Sequence, residues 1–132
     1  MNVLNDVGPI ATIEQFKAAL LATRDWHGIS PMQLQMLQAQ CRAPECTISA
    51  AQIAEQLKLK TFAAARHQYG AFAREIAERL AYMPPQRGKS APSWWFTLST
   101  SRGDAADDAG DGQIQWIMRP ELVAALRAMK WA

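Results

Sequence analysis

The chain has 132 residues, a formal net charge of +2 and 49% hydrophobic residues. It is long enough for one domain with its own core and too apolar for global disorder. Two cysteines, Cys41 and Cys46, exclude a disulfide framework, and they make a zinc site only if His27 and His67 converge on them, so buried free thiols are expected. No apolar run reaches the length of a bilayer span and no basic leader precedes an apolar stretch, which sets the expectation of a cytoplasmic protein.

Residues 1–11 hold Asn5-Asp6, Gly8 and Pro9 and are expected as a flexible lead-in to a single domain over 12–132. Thr12 with Gln15 makes a capping box for a helix running through Phe16, Leu20 and Leu21 to about Arg24, ended by Trp26-His27-Gly28. Ser30-Pro31 opens the next helix with a cap, a proline at the first helical position and Gln33 closing a second box. Its apolar set is Met32, Leu34, Met36, Leu37 and Cys41, while Gln33, Gln35, Gln38 and Gln40 read as a soft polar face. Ala43-Pro44-Glu45 reads as a loop, and Thr47-Ile48 as a very short strand.

From Thr47 to Leu80 the pattern is a short helix, a tight turn and a longer helix. Ser49 with Gln52 caps the first helix, and Ile53 and Leu57 give it one core-facing stripe. Lys58-Leu59-Lys60 breaks the period, and Thr61 caps a second helix whose Phe62, Ala65, Tyr69, Phe72, Ile76 and Leu80 fall in one sector. Pro84-Pro85 is the expected stop. This is the sequence form of a helix-turn-helix, whose second helix is the one that enters a DNA groove. Charge follows the motif: between Cys41 and Ala91 there are eight bases and four acids, whereas the rest of the chain is mildly acidic.

After a basic loop at 86–93, Trp94–Thr100 and Gln113–Met118 have strand composition, with Trp94, Phe96 and Leu98 as the expected inward face. The twelve residues between them are polar and carry Asp104, Asp107, Asp108 and Asp111. Arg119-Pro120-Glu121 starts a last helix with Leu122, Val123, Leu126 and Met129 apolar, ending at Trp131. Helices, a helix-turn-helix and then a hairpin give the expected fold: an α+β, helix-rich winged-helix-like domain with one β-hairpin and a C-terminal helix.

Gln52-Ile53-Ala54, the Ala65–Gly70 run ending in Gln-Tyr-Gly, Trp94-Trp95 and the stretch from Trp116 to Leu122 together resemble a small bacterial domain. That domain accompanies restriction endonucleases of the HNH type and also occurs in short stand-alone proteins. The resemblance covers about Ser30 to Trp131 and implies a winged-helix-like module in defence or mobile-element biology. It does not imply the nuclease, because the chain lacks an H-N-H constellation. The chain departs from the family pattern at Arg66, where asparagine is expected, and at Leu59-Lys60, where glycine and an aromatic are expected. Both departures fall on the recognition surface, so no target sequence is implied.

On the second helix of the motif, Ala64, His67, Ala71 and Arg74 lie opposite the apolar stripe, with Gln68 on one flank and Arg66 nearer the buried edge. Lys58, Lys60, Thr61 and Arg74 suit phosphates, and Arg66, His67 and Gln68 suit base edges. Arg87 and Lys89 in the basic loop are further candidate contacts. The alternative is that the small-residue face at Ala64 and Ala71 packs on a protein. The four aspartates of the hairpin loop would then imitate phosphate. Those aspartates lack the order of a calcium loop, and no nucleophile, acid–base pair or cofactor motif stands out.

Two functional expectations follow. One is a non-enzymatic module binding double-stranded DNA, gaining from a homodimer with two half-sites, for which the C-terminal helix with Trp131 is the candidate contact. The other is a protein-interaction module that inhibits or regulates a host defence complex. Neither needs a cofactor or a metal.

Overall fold

The computed structural model describes residues 9–85, 92–101 and 114–132. The expected lead-in up to residue 8, Arg87 and Lys89, and Asp104, Asp107, Asp108 and Asp111 lie outside the described residues. Five α-helices are formed among the described residues: α1 (Ile13–Trp26), α2 (Pro31–Arg42), α3 (Ala50–Leu57), α4 (Phe62–Leu80) and α5 (Pro120–Ala128). They surround a small sheet of β1 (Thr47–Ile48), β2 (Ser99–Ser101) and β3 (Trp116–Met118).

Polar chemistry at the helix starts fixes where they begin. Thr12, Ser30 and Ser49 each accept from the backbone three residues on, and Gln15, Gln33 and Gln52 each return a bond to the cap, so the three capping boxes are complete. Thr61 Oγ1 accepts from Ala64 N at 3.1 Å and starts α4. The turn between α3 and α4 is four residues, 58–61. Lys58 takes the left-handed conformation (φ 58°), and Leu59 N reaches back to Ala54 O at 2.8 Å, closing α3 as glycine-type caps do. The same device at Ala81 (φ 55°), rather than the Pro84-Pro85 pair, ends α4, with Tyr82 N bonded to Ala77 O.

All three strands are antiparallel, in the order β1-β3-β2, with Ile48 opposite Trp116 and Ser101 opposite the same residue from the other side. Thr47-Ile48 is thus a true strand that completes the sheet beside the hairpin. The order α2, β1, α3, α4, β2, β3 makes the α+β winged-helix-like domain, and α1 and α5 pack together, with α1 also against α4. Phe16 and Leu20 of α1, Met36 of α2, Ile53 of α3, Phe72 of α4 and Leu126 of α5 meet in one core and are almost fully buried. Each such side chain contributes about 1.5–3 kcal/mol relative to exposure.

Two expectations are corrected. Trp94–Thr97 is a short 3-10 helix, so the strand begins only at Ser99 and the two tryptophans do not point to opposite sheet faces: both are half-buried. The buried Arg119 side chain enforces this turn. Its Nε and Nη2 donate to Phe96 O at 3.1 and 2.9 Å, and its guanidinium lies 5.0 Å from the Phe96 ring centroid. Gln40 is not part of a polar face but wholly buried, where it binds Tyr69, Ser99 and the Trp116 carbonyl.

Candidate nucleic-acid interface

The helix-turn-helix places its bases at one end of α4. Lys58, Lys60 and Thr61 are exposed in the turn, and the first turn of α4 carries no acid. Neither lysine has an ion-pair partner among the described residues. Three features therefore coincide there: two lysines, a threonine hydroxyl whose oxygen is used in the cap, and the positive end of the helix dipole. One turn on, Arg66 and His67 are exposed and Gln68 is half-buried. Arg66 stands clear of the buried edge expected for it.

Charge is distributed differently in the second half of α4. Arg74 Nε pairs with Glu78 at 3.2 Å, and its guanidinium lies 5.2 Å from the Trp94 ring centroid. Glu75 is held by Arg79 at 3.2 Å and by His27 Nδ1 at 3.5 Å. Each acid here has a cation, so this half is neutralised within the protein and the unpaired positive charge lies at the helix start. At 1.5 Å per residue, Arg74 is about 18 Å along the axis from Phe62, too far to share a phosphate with the lysines.

A groove of about 580 Å³ runs along the outward face of α4. Arg66, His67, Gly70, Ala71 and Arg74 form its floor. Glu75, 3.5 Å from His27, and Glu78 line it too, as do Gln33 and Trp94, whose ring lies 5.2 Å from Arg74. Ala71 is exposed and Ala64 half-buried. The two histidines, far apart in the chain, meet in this groove.

The other singled-out residues are placed elsewhere. Asp25 pairs with Arg24 at 2.9 Å. Cys41 is buried and Cys46 half-buried, and both are free thiols. Burial, with Cys46 adding and Arg127 opposing, pushes the Cys41 thiol up to about 11. No group of three or more His, Cys, Asp or Glu fit to hold a metal occurs among the described residues. Trp116 is buried against Tyr69, ring centroids 4.1 Å apart, so it offers no face to a base. Trp26, by contrast, is 85% exposed.

His27, Gln33 and Trp94 are interface candidates that the sequence reading missed as a set. No local spacing links them, because three separate elements bring them to α4. No helix among the described residues is long and apolar enough to cross a membrane. Neither a protein-family model, nor a curated protein, nor a solved structure matches the chain.

Proposed function

We propose that the protein is a non-enzymatic module that binds double-stranded DNA through the turn and first half of α4. The observation that carries this reading is the charge polarity of α4: exposed Lys58 and Lys60 at its dipole-positive start, paired acids only in its second half. Lys58, Lys60 and Thr61 hold phosphates, and Arg66, His67 and Gln68 face base edges. Arg74 supports the floor through Glu78 and Trp94 instead of reaching for phosphate. The resemblance of 30–131 to modules that accompany restriction nucleases supports the same setting in defence or mobile-element biology. A homodimer on two half-sites would multiply an affinity that two lysines alone keep weak.

Fluorescence anisotropy of a labelled duplex, titrated at several salt concentrations, tests the proposal. Binding that weakens steeply with salt and is lost in the Lys58→Glu/Lys60→Glu variant supports it. Binding unchanged in that variant contradicts it.

A second reading is favoured by Trp26, whose indole stands almost fully in solvent. Tryptophan is the side chain most enriched at protein hot spots. In this reading the module docks on a protein of a host defence complex and regulates it, with the small face at Ala64 and Ala71 as the contact. A duplex that fails to bind at low salt would bring this reading forward.

A further inference from the structure

Glycine in a helix interior costs roughly 1 kcal/mol against alanine. Gly70 sits inside α4, and nothing lies within 4 Å of the point where its Cβ would stand. No neighbour among the described residues requires the missing side chain. The space it leaves opens into the α4 groove, which His27, Gln33 and Trp94 also line. The helix is therefore thinned on the face that lines this groove.

The dimensions of DNA fit that profile. A helix with its side chains is about 10–12 Å across, and the major groove is about 12 Å wide. A helix lying in it has one sugar–phosphate strand along each flank. His27 and Gln33 come to α4 from other elements, and both line its groove.

We infer that His27 and Gln33 hold a phosphodiester of one strand bordering the major groove while α4 lies within it. The inference rests on the DNA reading above and extends it to a second part of the chain. The His27 side chain is 54% exposed and its Nδ1 lies 3.5 Å from Glu75 Oε1, so its other ring nitrogen is left for a ligand. In the doubly protonated form the ring bridges the Glu75 carboxylate and a phosphate oxygen. Gln33 spends its Oε1 on the Ser30 backbone N–H at 3.1 Å, and its Nε2 has no bond within the described residues. The start of α2 places that amide beside the dipole-positive end of a twelve-residue helix. Such contacts position the duplex without reading its sequence.

The test is a salt series of anisotropy titrations on several duplexes at one fixed pH. The proteins are the wild type, His27→Gln, Gln33→Glu and Gln35→Glu. Glutamate at the third helical position keeps the capping box, so Gln33→Glu adds charge without removing the cap. Gln35 is on the same helix and exposed, and it does not line the groove. His27→Gln should weaken binding about tenfold, the worth of a hydrogen bond to a charged group. The loss should be similar on every duplex, with the salt slope reduced by about one. Gln33→Glu should weaken binding at least as much, and Gln35→Glu less than about twofold, as a surface charge outside the contact. Matching thermal melts show that the variants are folded.

If His27→Gln and Gln33→Glu bind as the wild type does, while Lys58→Glu/Lys60→Glu does not, the His27–Gln33 contact is refuted and the DNA reading stands. Equal damage from Gln35→Glu and Gln33→Glu also refutes it, because charge alone would then explain the loss. If the wild type binds no duplex, both fall together.

Discussion

Tyr69 donates its hydroxyl proton to Gln40 Oε1 at 2.7 Å in the centre of the core, and both side chains are wholly buried. Gln40 Nε2 donates to Ser99 Oγ at 3.0 Å, and Ser99 returns its own proton to the Tyr69 oxygen at 2.6 Å. The three groups form a closed ring, and the second Gln40 N–H goes to Trp116 O at 3.0 Å. This ring joins α2, α4, β2 and β3, and so fixes the hairpin relative to α4. Gln40→Leu removes the hub, leaves the Tyr69 hydroxyl and Ser99 only each other, and takes from the Trp116 carbonyl its side-chain donor. It should destabilise by about 2–4 kcal/mol, since each orphaned buried group costs about 1–3 kcal/mol. Tyr69→Phe, which keeps the hub and the ring stack on Trp116, should cost about half as much. Urea unfolding of both variants measures the difference.

The same burial governs stability in alkali. Burial raises the Tyr69 phenol well above its ordinary value, with the bonds to Ser99 and Gln40 opposing it only in part. Burial also raises Tyr82, with Arg119 opposing, and pushes the Cys41 thiol up to about 11. In each case the folded state holds its proton more tightly than the unfolded chain does. Stability is therefore complete below the unfolded values and is lost as the pH climbs above them. The urea midpoint should stay level through neutral pH and fall above about pH 9–10, by up to about 1.4 kcal/mol per pH unit for each group. In Tyr69→Phe the fall should be shallower. An equally steep fall in that variant would remove Tyr69 from the account.

Lys58 separates folding from binding. Its left-handed backbone costs a lysine roughly 1–2 kcal/mol, which glycine avoids. Lys58→Gly should raise the stability of the free protein by about 0.5–1 kcal/mol after the added freedom of the unfolded chain is counted. It should also weaken duplex binding and lower the salt slope by about one. Stability and affinity moving in opposite directions is the expected signature.

Gly70 gives the complementary case. A Cβ meets nothing there, so Gly70→Leu should stabilise α4 by about 0.5–1 kcal/mol through helix propensity. Its side chain then fills the floor of the groove and should reduce duplex binding about tenfold or more. The cost is comparable to overpacking, about 1–3 kcal/mol. Thermal melting and anisotropy on one preparation measure both effects.

Helix starts were legible because a cap and its partner are three residues apart, and Thr12, Ser30, Ser49 and Thr61 all cap as their spacing predicts. The turn and the buried stripe of α4 were legible for the same local reason. Gln40 was not, because its partners Tyr69 and Ser99 are 29 and 59 residues away, and a glutamine among glutamines reads as surface. Trp94–Thr97 was misread as strand because its composition favours one, whereas Arg119, 23 residues beyond Phe96, decides the turn. For the interface, the turn lysines and the first half of α4 were visible in the sequence. The groove walls at His27, Gln33 and Trp94 were not, since only the packing of α1, α2 and the 3-10 helix beside α4 brings them together.

The most direct test of the central claim is to record backbone amide shifts of the labelled protein while a short duplex is added at low salt. The account predicts perturbations concentrated from Lys58 to Ala71, with a second set at His27 and Gln33, and little change in α5. Shifts centred on α5 and Trp131, or no shifts at all, would contradict a DNA-binding role for α4.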